Sequence, residues 1–333
     1  MKRLVKNIFF FQNPGHGGIE RNLDLWANFC AKFNDNENCI LSNKKTEATS
    51  NFKKYAPCYT SLRSLVNESC ENQYTYNVIV FRNILKPLIW VTILRLKGIK
   101  NFRLIYRANN DPLHWLHERS AKRAVSECVK VLALPFYDLV IYNSRELRER
   151  CRYYNKNHVV LPNPIEPKDE IIFRSRNKNI LYIGRNAEQK NIKNLISAMS
   201  LVDQSIKLTI IGFENTQYQA TQNVEFIRWS EKIDFAKYSF IILPSLYEGS
   251  PNALLEGLNN GLIPILTPFK SGGIELIEAF NCDYFLAKDF SVDALVVAIT
   301  EATNADINFK SRTPHQLRFD YFRNKLKDIL SNA

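Results

Sequence analysis

Nine short apolar runs recur along the chain, and the stretches between them constrain the fold more than any other feature. They are NIFFF (7–11), YNVIVF (76–81), FRLIYR (102–107), LVIYN (139–143), HVVLPN (158–163), NILYIG (179–184), LTIIG (208–212), SFIILP (239–244) and LIPILT (262–267). Runs of this length read as buried strands, and most are separated by stretches with apolar residues at helical spacing. Strands that alternate with helices build parallel sheets, so the chain is predicted to be an α/β protein.

With 333 residues, 45% hydrophobic and 23% charged, the chain suits two such domains and is too ordinary in composition to be disordered. The stretch NPIEPKDEIIFRSRNKN (163–179) is rich in turn formers and charge and reads as the connection. It divides the chain into 1–165 and 166–333, with the last helix free to pack back on the first domain. Two facing domains leave a cleft at the carboxyl ends of their strands, so functional residues are expected just after strands. The seven cysteines form no C-x-x-C pair, which fits a reducing cytoplasm. NIFFF is too short for a signal-peptide core, and no stretch reaches the roughly 18 apolar residues of a membrane span.

The stretch LPSLYEGSPNALLEGLNNG (243–261) reads as strand, turn and helix. Leu254, Leu255 and Leu258 have helical spacing, Ser250 stands where an N-cap belongs, Pro251 fits the first helical position, and Gly261 fits the stop. That places the helix at about 251–260. Its first N–H groups, at Asn252 and Ala253, and its dipole attract an anion such as phosphate. Glu248 in the turn and Glu256 in the helix would then accept hydrogen bonds from hydroxyls on either side, which describes a nucleotide sugar. On spacing alone a turn-capping Glu248 and a helix-surface Glu256 are the commoner reading, since two glutamates eight apart occur often by chance.

The longer run PSLYEGSPNALLEGLNNGLIPILTPFKSGGIELIE resembles the signature of retaining glycosyltransferases of family 4, which have the GT-B fold of two facing Rossmann-like domains. Their E-x7-E motif would be Glu248 and Glu256. The resemblance implies that Glu248 contacts the donor sugar and Glu256 the ribose, with Ser250 and Asn252 beside them. GRNAEQKN (184–191) follows a strand and supplies Gly184, Arg185 and Lys190, where the family carries an Arg and a Lys that grip the donor diphosphate. Two fixed cations stabilise a leaving diphosphate more in the transition state than before it.

In NPGHGGIERNLDLW (13–26) the glycines allow close backbone approach to a ligand, and GGIER is similar to the family's first loop. This places Gly17, Gly18 and His16 near the donor phosphates and acceptor. YRANNDP (106–112) puts Arg107 and Asn109 where many members have a catalytic histidine, so that role is not carried over and both become acceptor-side candidates.

No D-x-D triplet, His pair at i, i+4 or Cys/His cluster occurs, so no metal and no separate cofactor is expected. Residues 1–150 hold 24 Lys and Arg against 13 Asp and Glu, a net +11 of the chain's +12. No nucleic-acid-reading motif accompanies that charge. An anionic membrane surface is the expected partner instead, through a helix in 84–97 that turns Leu85, Leu88, Ile89, Thr92 and Leu96 inward and Lys86, Trp90, Ile93 and Lys97 outward, aided by Arg119, Lys122, Arg123 and Lys130. Packing of Trp90 against a neighbour with solvated lysines fits the same pattern. The expectation is a cytoplasmic enzyme, peripheral on the inner face of the membrane, moving sugar from a nucleotide sugar to a hydroxyl acceptor such as a lipid-linked glycan. A silent sugar-nucleotide or membrane binder and a sugar-nucleotide epimerase are the alternatives.

Overall fold

The computed structural model describes residues 4–11, 18–32, 36–42, 58–59, 74–81, 84–109, 125, 128–129, 131–213, 218, 221–230, 232–269 and 272–331. The chain forms two compact units, Met1–Asn163 with Asp320–Ala333, and Pro164–Phe319.

The first unit is built on a seven-stranded sheet in the order β3-β2-β1-β4-β5-β6-β7. Its strands are β1 Leu4–Phe11, β2 Asn36–Ser42, β3 Cys58–Tyr59, β4 Tyr74–Val80, β5 Phe102–Ala108, β6 Leu139–Tyr142 and β7 His158–Val160. Every neighbouring pair runs parallel. Ile8, Phe10, Val78, Val80, Leu104 and Val140 share one buried cluster. Trp26, on the helix Gly18–Ala31, is fully buried and meets Phe81 and Phe322 edge-on, with ring centroids 5.3 and 5.7 Å apart.

Phe322 belongs to the terminal helix Phe319–Ser331, whose buried Phe322, Leu326 and Leu330 face this unit's core. Asn77 Nδ2 donates to the Leu330 carbonyl and to Asn7 Oδ1, both at 2.9 Å, and Arg103 donates to the Ile329 carbonyl at 2.7 Å. These bonds give Asn77 Nδ2 and Asn7 Oδ1 their partners while anchoring the helix.

The helix Leu85–Leu96 corrects the expected partition of its faces. Ile84, Pro87, Val91 and Leu94 point into the core, and Trp90 is partly buried with its ring edge-on to Phe102 at 5.4 Å. Leu85, Ile89 and Leu96, expected inside, are 41%, 59% and 82% exposed, and Ile93 is 46% exposed. The reason is the period: residues 84, 87, 91 and 94 follow the i, i+3, i+7 spacing of a single stripe, and β5 takes Trp90 because Phe102 lies next to that stripe. Arg95 holds the helix's end through Asp138 at 2.5 Å, and Asp138 also accepts from the Leu104 N–H at 2.6 Å. Arg119, Lys122, Arg123 and Lys130 lie outside the described residues.

The second unit is built on a six-stranded parallel sheet, order β11-β10-β9-β12-β13-β14. The strands are β9 Asn179–Ile183, β10 Lys207–Ile211, β11 Val224–Ile227, β12 Phe240–Leu243, β13 Ile263–Leu266 and β14 Phe285–Leu286. Side chains alternate between its faces. Ile180, Tyr182, Phe240 and Ile242 pack under the helices Ile192–Met199 and Val292–Asn304. Leu181, Ile183, Ile241 and Leu243 pack against the helices Asn252–Asn259 and Gly273–Phe280. Burial on both faces is why NILYI, FIIL and IPIL are continuous apolar runs rather than alternating ones.

A separate two-stranded antiparallel sheet joins β8 Ile171–Arg174 to β15 Asn308–Ser311, with Phe173 stacked on Phe309 at 4.7 Å. The stretch 163–179, expected to be connection only, therefore contains a strand. Its burial alternates along Ile171–Arg174, so only two of its four side chains face the core.

Candidate functional site

The sheet of the second unit reverses direction beside β9. From β9 the chain moves outward through β10 and β11 on one side, then returns to β12 and continues to β13 and β14 on the other. Crossovers that leave two adjacent strands toward opposite edges open a crevice at their carboxyl ends, where open α/β sheets bind ligands. The loop after β9 carries Arg185 and Lys190, and the loop after β12 carries Glu248. Both flank that crevice.

The β9 loop starts under tight steric control. A Cβ on Gly184 would lie 2.5 Å from the Tyr182 hydroxyl, and one on Gly212, at φ +136°, would lie 2.2 Å from the Gly184 carbonyl oxygen. The ends of β9 and β10 approach so closely that Gly212 accepts no side chain, whereas Gly184 is confined by the Tyr182 side chain of its own strand. Arg185 follows, exposed to solvent. Lys190 closes the short 3-10 turn Glu188–Lys190, and Asn191 then takes a left-handed conformation at φ 52° to start the next helix.

Two hydrogen bonds clamp the β9 and β12 loops together. The Leu246 N–H donates to the Gln189 carbonyl at 2.8 Å, and Gln189 Nε2 donates to the Tyr247 carbonyl at 2.7 Å. The Gly272 N–H holds the Gly249 carbonyl at 3.0 Å, and Thr267 Oγ1 donates to the Ser245 carbonyl at 2.7 Å. Within this frame the Glu248 carboxylate is 6% exposed. Its Oε1 accepts from Ser245 Oγ at 2.6 Å and forms an ion pair with Lys190 Nζ, whose side chain is 19% exposed. Burying a carboxylate is costly unless it is paired and hydrogen-bonded, and Glu248 has both kinds of partner. The Tyr182 hydroxyl is pushed up from its ordinary range first by burial and then by the negative charge of Glu248, so it remains a neutral phenol.

The helix beyond the loop starts one residue later than expected. Pro251, extended at φ −72° and ψ 112°, is the N-cap in place of Ser250, and the helix covers Asn252–Asn259. Proline's fixed φ suits the cap as well as the first turn, and its ring supplies no acceptor to the backbone. The first N–H paired within the helix is that of Leu255, to the Pro251 carbonyl at 3.1 Å, leaving the Ala253 and Leu254 N–H groups ahead of the ladder. Leu254, Leu255 and Leu258 are buried, each worth about 1.5–3 kcal/mol, which turns Glu256 onto the face it shares with Asn252, one turn earlier. Gly261 ends the element at φ +76°, as its position predicted.

Arg185, Lys190, Glu248, Ser250, Asn252, Glu256 and Gly184 thus stand at two strand ends that are neighbours in the sheet of one unit, and on the helix after the second. The candidates in the first unit differ. Arg107 is fully buried: it donates to the carbonyls of Tyr142 at 3.2 Å and Leu161 at 2.5 Å and to Asn163 Oδ1 at 2.7 Å, under the Trp26 ring at 5.3 Å. Burial without a carboxylate lowers its pKa to about 9. Arg107 ties strand ends together through these bonds. Asn109, 9% exposed, donates back to the Arg107 carbonyl at 3.3 Å. Gly18 opens the helix Gly18–Ala31, while His16 and Gly17 lie outside the described residues.

Ser245 and Gln189 escaped the sequence reading. Ser245 had a signal in the S-x-x-E spacing to Glu248, a pairing familiar from helix caps and used here in a turn. Gln189 had none, because its partners belong to a loop 58 residues away. Among the described residues, no group of three or more His, Cys, Asp and Glu stands together in a way that would hold a metal ion.

Residues 166–316 match the family described as Glycosyl transferases group 1. The chain is 30% identical over 139 residues to the Lipopolysaccharide 1,6-galactosyltransferase of Escherichia coli (strain K12), spanning 36% of this chain and 39% of that protein. It is 29% identical over 136 residues to the Amylovoran biosynthesis glycosyltransferase AmsD of Erwinia amylovora, spanning 37% and 38%. The matched stretch is thus well under half of either relative's length. Among solved structures, Anabaena HepE in complex with UDP-glucose has a TM-score of 0.66 at 15% identity, covering 98% of this chain and 100% of that one. WaaG, a glycosyltransferase involved in lipopolysaccharide biosynthesis, has a TM-score of 0.62 at 12% identity, covering 98% and 95%. These likenesses over nearly the whole chain assign the α/β GT-B fold.

Proposed function

We propose that this chain, whose residues 166–316 match the family described as Glycosyl transferases group 1, is a glycosyltransferase that moves a sugar from a nucleotide-sugar donor to a hydroxyl acceptor with retention of configuration. The observation that carries the reading is the Lys190–Glu248 pair set at the sheet's reversal point, with Glu256 one helix turn beyond the first N–H groups. The relatives named for lipopolysaccharide and amylovoran synthesis support a surface-polysaccharide pathway, and the net +11 of residues 1–150 supports a lipid-linked glycan as acceptor.

In this reading Glu248 accepts from a sugar hydroxyl and Glu256 from the ribose. Arg185, Lys190 and the Ala253 N–H take the negative charge that develops on the leaving diphosphate, with no divalent ion needed. A donor bound only by the folded protein stabilises it by about 2.7 kcal/mol at a hundredfold excess over Kd. Thermal melts with UDP-glucose, UDP-galactose, GDP-mannose and ADP-glucose are therefore expected to show a rise of several degrees for at least one donor, and incubation with a hydroxyl acceptor to give a glycoside of the donor's anomeric configuration. Isomerised donor without glycoside would favour an epimerase, and binding without turnover a silent protein.

A peripheral position on an anionic membrane extends the proposal. Among the described residues no helix is long and apolar enough to cross a membrane. Leu85, Ile89, Ile93 and Leu96 form an exposed apolar stripe, and Lys86, Lys97 and Lys100 are exposed around it. This arrangement supports interfacial binding, with about 1 kcal/mol from each lysine near anionic lipid. Lys86→Glu with Lys97→Glu is expected to abolish sedimentation with anionic vesicles, and Ile89→Ser to weaken it without altering its salt dependence. Trp90→Ala, by contrast, should lower thermal stability because its ring packs on Phe102. Undiminished sedimentation of the charge-reversed protein would reject the membrane contact.

A further inference from the structure

We infer that Ser245 is a positioning residue that decides which oxygen of Glu248 meets the ligand, an inference that rests on the donor-site reading above. Ser245 sits in the turn directly after β12, 1% exposed, and its carbonyl is held by Thr267 Oγ1 at 2.7 Å, so its backbone is fixed from the neighbouring strand end. Its hydroxyl reaches three residues along the turn to Glu248 Oε1 at 2.6 Å, the oxygen that also pairs with Lys190.

Lysine has only donors, and the serine hydroxyl has one proton to give. Among the described residues both interactions fall on the same oxygen, Oε1. Two charge-assisted bonds to one oxygen orient the carboxylate plane and make Oε2 the accepting edge. An ionised carboxylate accepts and does not donate, so the ligand group at Oε2 must be a donor, which a sugar hydroxyl is and a diphosphate oxygen is not. Lys190 alone would leave the carboxylate free to turn about its last bond. The serine removes that freedom before the ligand arrives, as preorganised sites do.

Ser245 should therefore act on the sugar and only through Glu248. The test is calorimetric titration of the best-bound of UDP-glucose, UDP-galactose, GDP-mannose and ADP-glucose, and of its parent nucleoside diphosphate, against wild type, Ser245→Ala, Glu248→Gln and the double variant. Ser245→Ala is expected to weaken the intact donor about tenfold, in line with the loss of a hydrogen bond to a charged group, with the nucleoside diphosphate changed less than twofold. On top of Glu248→Gln the serine change should add less than about threefold, because residues acting as one unit are not additive. Ser245→Cys, which keeps a weak donor in a similar volume, should fall between Ala and wild type and serves if the alanine variant folds poorly.

Equal losses for donor and nucleoside diphosphate, independent multiplication of the Ser245 and Glu248 effects, or unchanged donor affinity in Ser245→Ala would each overturn the inference. If wild type binds none of the four donors, the donor-site reading itself fails, and this is seen before any variant is compared.

Discussion

Lys190→Ala is expected to lower turnover by about 10² or more and to destabilise the second unit, whereas Arg185→Ala should cost similar turnover with an unchanged melting temperature. The two cations stand in one loop, but their surroundings differ. Arg185 is exposed, so its removal leaves nothing buried without a partner. Lys190 is paired with a carboxylate that is 6% exposed. Breaking a buried pair typically costs about 3–5 kcal/mol, because the remaining charge is left in a poor solvent. The 19% exposure of Lys190 puts this case at the low end. For a unit of this size about 3 kcal/mol is a fall of roughly 6–12 °C in its transition.

A third variant separates catalysis from stability. Lys190→Met with Glu248→Gln removes both charges at similar volume, and replacing a buried ion pair by neutral groups is often neutral for stability. The double variant should thus recover most of the lost melting temperature while remaining inactive. Turnover near wild type in both Arg185→Ala and Lys190→Ala would end their assignment to the diphosphate. An inactive Lys190→Ala with full stability would show instead that Glu248 finds another partner when the lysine is gone.

The sequence revealed most where burial was two-sided. NILYI, FIIL and IPIL, covered by helices on both faces, became β9, β12 and β13, and the site's loops followed from them. Strands with a weaker apolar signal were missed. β2 opens with the polar residues NEN, β11 reads VEFI with a charge in its second place, and β8 and β15 are four residues each with only alternate positions turned to the core. Their pairing depends on partners far along the chain: Phe173 is set by Phe309, which no local window contains.

The same limit applied to side chains. Arg107, near the end of β5, became an acceptor-side candidate because YRANNDP puts it where many members of the resembling family have a histidine. Its burial depends on carbonyls at Tyr142 and Leu161, 35 and 54 residues away, turning to receive it. The helix 85–96 was legible as a helix but not in its rotation. Almost every position in LKPLIWVTILRL is apolar, so several stripes were equally plausible until Phe102 and the β-sheet selected one. The turn and helix start that carry the acidic pair were legible because their pattern is local, with seven residues between Glu248 and Glu256.

That pair leads to the second large effect. Glu256→Gln is expected to weaken the nucleoside diphosphate and the intact donor alike, by about 10- to 100-fold, whereas Glu248→Gln should weaken the intact donor by a similar factor and leave the nucleoside diphosphate nearly unchanged. The ribose is present in both ligands and the sugar in only one, so each glutamate's partner can be read from which affinity it moves. Glu256 lies on the helix face it shares with Asn252, next to the first N–H groups where the phosphates would sit, and its effect should not depend on what the diphosphate carries. Glu248 is held by Ser245 and Lys190 at the mouth of the β12 loop, where only a group beyond the diphosphate gains from its remaining oxygen. Because Glu248→Gln also removes the partner of Lys190, the comparison must be made at a temperature where both variants are folded. Equal losses for both ligands in both variants would mean that the two carboxylates do not divide the donor between them.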